Sequence, residues 1–358
     1  MHARTISIHH IRGALAGARR AGLDLDALLH AAGIAPALLQ DPRSRVTGQQ
    51  AARLVRVLVA ALDDEFLGLG PYPSKRGTFA MMCHAAVHSK TLRSALLRAT
   101  KFYELFPGTP RFRIRYTGGT AKVQLDIRGV RDPDHFMCEG IMLIWHGFSS
   151  WLIGQRIPLL RMEFRYPRPP HATEYDLAFG CRSEFGSKVT AATFDRKYLD
   201  MPVIRDSRAL SEFLRDAPAD LASPPDYATS TSEAVRSILA TASPAALPSV
   251  NAVASRLSIS PQTLRRRLAE DDTSFRQLRD EVRRDAAIDA LTSTDDTVED
   301  IAARLGFADS SAFHRAFKRW TGSSPGSYRA ANGQPSGAPS AVRRARPMPD
   351  RARSRGTR

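Results

Sequence analysis

An α+β domain followed by an all-α domain is the fold this sequence predicts, on three observations. Residues 249 to 270 and 297 to 321 repeat one spacing of apolar residues, two short helices around a turn in each copy. Upstream of residue 210, helical periodicity alternates with strand-like stretches, including a hairpin pattern around Gly118-Gly119. Between the two regions runs DAPADLASPPDYATSTS, rich in Pro, Ala, Ser and Asp, which has the composition of a linker. The expected organisation is therefore an α+β domain at 1–210, a linker at 211–229, an all-α domain at 230–330 and a basic tail at 331–358.

In the first domain, Ile11, Leu15 and Ala18 mark a helix that stops at Gly22. LDLDALLHAAG gives a second, and a third starts at Thr47. Residues 78 to 106 hold two more, the later one starting at Thr91. Residues 110 to 127 alternate as a hairpin, and 134 to 154 read as a long helix. Two strands are expected at 159–169 and 187–195, with a helix between them.

In the second domain, Thr297 opens a helix with Asp300 serving its first turn. Val298, Ile301, Ala302 and Leu305 form its buried stripe, and Gly306 supplies a turn. Asp309 caps the next helix, which buries Phe313, Ala316, Phe317 and Trp320 and presents Ser311, His314, Arg315 and Lys318, with Ser310 beside them. The upstream copy repeats the stripe as Val250, Val253, Ala254 and Leu257. Ser260-Pro261 opens its second helix, with Leu264 and Leu268 inward and Gln262, Thr263, Arg265, Arg266 and Arg267 at the other face. Residues 274 to 293 join the copies as one helix, roughly 30 Å long at 1.5 Å per residue. That length approaches the ~34 Å between successive major-groove faces of DNA. A solvated helical hairpin would share the pattern of one copy. Two copies on a connecting helix favour a pair of helix-turn-helix units that read duplex DNA, with arginines suited to guanine edges and phosphates.

The net charge of +16 and a pI near 10.4 suit a polyanionic partner. The charge does not sit in the second domain as a whole, since residues 229 to 330 hold 14 basic against 13 acidic residues. DNA binding must rest on the sorting of charge between helix faces. The tail lacks apolar residues to bury and is expected to be disordered.

These motifs resemble the DNA-binding domain of the AraC/XylS transcription regulators. The resemblance rests on Gly306-Phe307, Ser311, Phe313, Arg315, Phe317-Lys318, Gly322, Ser324-Pro325 and Tyr328-Arg329 together with the upstream copy. Residues 20 to 206, and FGCRSEFGSKVTAATFDRKYLDMPVIRD in particular, resemble the N-terminal effector domain of a subset of these regulators, including ones that control ornithine and other amino-acid catabolism. The resemblance implies a sequence-specific regulator, commonly an activator, that answers to a small-molecule effector, contacts RNA polymerase and dimerises through its N-terminal domain. Phe102, Tyr103, Phe106, Phe136 and Trp145 are the candidate lining of a mostly apolar effector pocket.

A DNA repair or modifying enzyme would need a reactive thiol at Cys83, yet its context is Met-Cys-His-Ala rather than Pro-Cys-His-Arg. An architectural DNA-binding protein would lack an effector pocket. No phosphate-binding glycine loop or nucleophile motif is present, so no catalytic residue and no cofactor are expected. His9-His10, His84 and His88 lack a completing carboxylate in sequence, so no metal site is expected either. Cys83, Cys138 and Cys181 are too few for a disulfide framework and fit a reducing cytoplasm. The apolar run at 140–154 is too short to span a bilayer, and no membrane partner is expected.

Overall fold

The computed structural model describes residues 5–132, 134–216, 231–257, 259–271 and 273–332. Strand β1 (Thr5–Ser7) pairs antiparallel with β2 (Arg45–Thr47) in a two-stranded sheet that the sequence analysis did not anticipate. Each strand runs directly into a helix, α1 (Ile8–Arg20) and α3 (Gly48–Leu62), so the small sheet fixes where both begin. α2 (Leu25–Ala31) lies between them, capped by Asp24, whose carboxylate accepts from the Ala27 N–H at 3.0 Å. Thr47 and Gln50 form the reciprocal capping box that starts α3. Ile8, Ile11, Leu15 and Ala18 of α1 are all buried, at the spacing expected of a one-sided helix.

The larger sheet has five strands in the order β3-β4-β7-β5-β6, formed by β3 (Arg111–Thr117), β4 (Thr120–Asp126), β5 (Leu159–Glu163), β6 (Ser183–Glu184) and β7 (Thr190–Asp195). All pairings are antiparallel except β5 with β6. The β3–β4 hairpin turns at Gly118-Gly119 with Thr117 opposite Thr120, as the alternation predicted. One face, with Ala121, Val123, Leu125, Met162, Ala192 and Phe194, packs in a single core with α4 (Thr78–Val87), α5 (Leu92–Glu104) and α6 (Phe136–Leu152). α7 (Ala172–Phe179) precedes β6. β5 stops at Glu163, short of the expected 169, and Pro167 and Pro169, which have no N–H to give a ladder, lie just beyond it. Among the described residues no helix is long and apolar enough to cross a membrane.

The domain limits need correction in two places. α8 (Ser207–Asp216) runs through the expected boundary at 210, and its Leu210 and Phe213 belong to the N-terminal core. The described part of the linker region is thus helical, and the rest of it lies outside the described residues. At the far end, α15 (Pro325–Asn332) carries the fold two residues into the expected tail, whose remainder also lies outside them.

The described C-terminal region is built of helices with no strand. α9 (Thr231–Ala240), α10 (Val250–Arg256) and α11 (Pro261–Glu270) precede the long α12 (Phe275–Ser293), and α13 (Val298–Arg304) and α14 (Ser310–Thr321) follow it. Ser249, Ser260, Ser274, Thr297 and Asp309 each accept from a backbone N–H three residues on, and such caps contribute ~0.5–2 kcal/mol apiece. Gly306 turns α13 towards α14 with φ 73°, and a Cβ there would meet the Ala245 carbonyl oxygen at 2.7 Å. Both the backbone angle and the space therefore require glycine.

Two cores serve this region. Val235, Leu239, Val253, Ala254, Leu264, Leu268, Leu278 and Val282 form one that involves only C-terminal helices. Phe313, Phe317, Tyr328, Ile301 and the alanine-rich end of α12 instead share a core with Ile8, Leu15, Leu29, Leu54 and Leu58. The first three helices thus pack with the last three, across the whole length of the chain.

Candidate nucleic-acid interface and effector cavity

On α14 the inward stripe buries Phe313, Ala316 and Phe317, which turns Ser311, His314, Arg315 and Lys318 to solvent, with Ser310 half-buried at the helix start. On α11 the buried Leu264 and Leu268 leave Gln262, Arg265, Arg266 and Arg267 exposed. Thr263 is half-buried, its hydroxyl 2.8 Å from that of the capping Ser260, so it is engaged at the helix start. The Arg266 guanidinium lies 2.7 Å from Glu270 one turn on, an exposed pair, while Arg265 and Arg267 have no ion-pair partner among the described residues. Arg319, absent from the sequence-derived set, is exposed and 3.7 Å from Asp280 of α12.

A cavity of about 650 Å³ lies between α1, α3, the sheet and α6. Tyr103, Phe136 and Trp145 of the expected lining are on its wall. Phe102 is not; it packs on the outside of the N-terminal core, and Phe106 is 41% exposed. Aromatic content had identified apolar residues without showing their direction. Ile11, Ala14, Leu54 and Leu67 line the cavity and also belong to the core that holds Phe313 and Phe317. Glu65 at the wall accepts from the Gly77 and Phe79 N–H groups at 2.7 and 2.8 Å, and burial raises its pKa.

The polar residues of the lining include His10 and Glu139, with Arg56, Glu65 and Arg76. Glu139 is 4% exposed, and three imidazoles surround it: His10 Nδ1 at 3.4 Å, His9 Nε2 at 3.9 Å and His171 Nε2 at 4.0 Å. Burial holds His9 down to about 2 and His10 down to about 4, and it lowers His171 too. Burial, with the charges of Asp132 and Glu174 behind it, pushes Glu139 well above the usual carboxylate range. His84 and His88, the other histidines weighed from sequence, are exposed on α4 and just after it. The sequence signal for this cluster was the pair His9-His10; nothing marked Glu139, the single Asp, Glu, Lys or Arg of α6, or His171.

A second buried polar group joins the two ends of the chain. Arg45 grips Glu174 of α7 with two hydrogen bonds at 2.5 and 3.2 Å and donates to the Thr5 hydroxyl at 2.8 Å. Thr5 in turn donates to Asp285 of α12 at 2.6 Å. The Tyr328 hydroxyl, from α15, donates to the Arg45 carbonyl. Burial pushes Glu174 up, but the charge of Arg45 and its hydrogen bonds outweigh this and hold it down to about 2. Cys83 is fully buried and burial pushes its thiol up, the reverse of what alkyl transfer to a cysteine demands.

Comparison with known proteins adds the following. Residues 22–203 match the family described as the arabinose-binding domain of AraC transcription regulators, and residues 253–331 match a helix-turn-helix domain. The ornithine utilization regulator of Pseudomonas aeruginosa is 28% identical over 312 residues, 87% of this chain and 92% of that protein. The regulator VirS of Mycobacterium tuberculosis is 31% identical over 172 residues, 48% of this chain and 49% of VirS. Among solved structures, the transcriptional regulator CdpR of Pseudomonas aeruginosa is 20% identical, covers 90% of this chain and 96% of its own, and aligns with a TM-score of 0.31.

Proposed function

The chain belongs to the AraC family of DNA-binding transcription regulators, and from that premise we propose that a small molecule in the N-terminal cavity governs how two helix-turn-helix units meet DNA. α10–α11 and α13–α14 are the two units, and α12 spaces them for successive major-groove faces on one side of the duplex. Gln262, Arg265, Arg266 and Arg267 read bases and phosphates from one unit, and Ser311, His314, Arg315 and Lys318 from the other. Dimerisation through residues 1–210, contact with RNA polymerase and activation of transcription belong to the same reading and are drawn from the family.

The observation that carries effector control is the double duty of the cavity wall. Ile11, Ala14, Leu54 and Leu67 face the cavity and pack in the core of α13–α15. A ligand that shifts these side chains acts on the packing that seats the downstream unit, which gives it different affinities for two arrangements of the protein. The wall is mainly apolar, with His10, Arg56, Glu65, Arg76, Thr100 and Glu139 as polar lining residues, which suits a ligand with an apolar body and polar groups.

The test uses the full chain, because a fragment ending at 210 would strip the cover from Ile8, Leu15 and Leu54. A ligand held at 100 times its Kd adds ~2.7 kcal/mol to stability, which a thermal-shift screen of metabolites detects. Gly140 of α6 lines the cavity, and a Cβ there meets no atom within 4 Å. Gly140→Leu starts from that open Cβ position and should occupy part of the cavity, abolish the thermal shift and make DNA binding indifferent to the ligand. If no metabolite alters melting or DNA affinity, or if Gly140→Leu leaves the response intact, control through this cavity is wrong.

A further inference from the structure

We propose that His9, His10 and Glu139, with His171 as a fourth group, form a binding site for a divalent transition-metal ion of the zinc class beside the cavity. Three separate elements bring the ligands together: the first turn of α1, the first turn of α6 and the residue that precedes α7. The ligand atoms of His9, His10 and Glu139 all lie within 4.8 Å of one another. With metal bonds of ~2.0–2.1 Å, tetrahedral ligand atoms stand about 3.3 Å apart, so the observed nitrogen–oxygen separations of 3.4, 3.9 and 4.0 Å close on an ion with small side-chain rotations.

The imidazoles are otherwise unexplained. His9 Nε2, His10 Nδ1 and His171 Nε2 are buried, and none has a hydrogen-bond partner. A buried polar atom without a partner is costly, and three of them around one carboxylate form a set that an ion would satisfy at once. The rings are also oriented. His9 Nδ1 lies 3.1 Å from the Ser7 hydroxyl, the outer hydrogen bond that fixes a ligating imidazole, and the His9 and His171 rings stack at 3.4 Å. On the carboxylate, Tyr175 donates to Oε1 and is backed by the Tyr166 hydroxyl at 3.1 Å, which leaves Oε2 facing His9 and His10.

Charge points the same way. Glu139 has no Lys or Arg partner among the described residues, and imidazole nitrogens, each able to offer a lone pair, stand near its oxygens. A divalent cation would take the lone pairs of the imidazoles and the carboxyl oxygen together. Imidazole-rich sites with one carboxylate favour zinc, iron or nickel over calcium and magnesium, which take oxygen ligands. Because His10 and Glu139 also line the cavity, the ion would stand at its edge.

The experiment uses purified full-length protein stripped with a chelator and titrated with Zn²⁺ against a chromophoric competitor, with X-ray absorption on the loaded sample. The expected result is one Zn²⁺ per chain in a shell of nitrogen and oxygen with an imidazole signature. His10→Ala and Glu139→Gln should each weaken binding by more than about a hundredfold, and Ser7→Ala by about 10–100-fold. His84→Ala and His88→Ala should leave it unchanged. The His10 side chain is 25% exposed and Glu139 only 5%, so His10→Ala is the milder change, and a thermal melt of each variant separates loss of binding from loss of folding. No uptake of Zn²⁺, native affinity in His10→Ala, or loss of binding in His84→Ala or His88→Ala would each overturn the site. The readout needs neither effector nor DNA, so its failure leaves the regulator reading as it stands.

Discussion

The two helix pairs of the C-terminal region share one apolar spacing but are packed in opposite ways. α10 and α11 close a core with α9 and the first half of α12, using Leu264 and Leu268. α13 and α14 carry Phe313 and Phe317 at the matching inward positions, and those rings are covered by α1–α3. Residue size accounts for the difference. Leucines are buried by the helices of their own bundle, whereas two phenylalanines and Tyr328 need further apolar cover. α12 serves both sides, with Leu278 and Val282 towards the first core and Ala286, Ala287 and Ala290 where the N-terminal helices come close. The upstream pair is self-contained, and the downstream pair is the one through which the N-terminal half can act.

The largest effect should come from cutting the shared core. Phe317 is fully buried, and Phe317→Ala is expected to cost ~3–5 kcal/mol. Hydrogen exchange in that variant should rise in α13–α15 and also in α1–α3, far away in sequence. Leu264→Ala, also at a fully buried site, should cost ~2–5 kcal/mol, with its exchange confined to α9–α11 and the start of α12. Exchange that stays local in Phe317→Ala would show that the two halves do not support one another, and the contrast between the pairs would fail.

Next in size is the polar link at Arg45. Arg45→Ala leaves Glu174 without its cation and Thr5 without a donor, at a cost of ~3–5 kcal/mol. The pH dependence has a definite sign. Glu174 is held at about 2, below its ordinary value near 4.5, so the stabilisation is fully present above pH ~4.5 and is lost as pH falls from there towards 2. Urea titrations across that window should show the native chain weakening more steeply than Arg45→Ala. Parallel slopes would mean that Arg45 does not hold the carboxylate ionised.

What was legible in the sequence follows the range of each interaction. Thr47, Thr91, Ser260, Thr297 and Asp309 act within one helical turn, and each was recognisable as a helix start. The hairpin at Gly118-Gly119 is local for the same reason. β1 and β2 have three residues each, too few for alternation to register, and they pair across 40 positions. Arg45 and Glu174 stand 129 residues apart, and His9 meets His171 only because α1 and α7 converge on Glu139. Periodicity marks the inward face of a helix but not the partner that covers it, so the division at 210 concealed a core built from both ends of the chain.

The smallest effects are those at the proposed DNA faces, where no core is disturbed. Arg265 is exposed without an ion-pair partner among the described residues, so its guanidinium is available for bidentate contact with a guanine. Arg266 must first leave Glu270, an exposed i,i+4 pair worth a few tenths of a kcal/mol, so its loss should matter somewhat less. Arg265→Ala is expected to cost ~1–3 kcal/mol on the cognate site and to relax selectivity at one base pair. Lys318 on α14 is a point charge suited to phosphate, and Lys318→Ala should weaken cognate and scrambled duplexes alike while lowering the salt slope by about one. The packing contrast supports this division of roles. On the proposed reading, the self-contained upstream pair reads its site in any state of the protein, whereas the downstream pair, packed with α1–α3, adds affinity and register under the control of the N-terminal half. Titrations of Arg265→Ala, Arg266→Ala and Lys318→Ala on both duplexes at several salt concentrations decide it. Selectivity lost with Lys318→Ala and kept in both arginine variants would reverse the assignment of the two units.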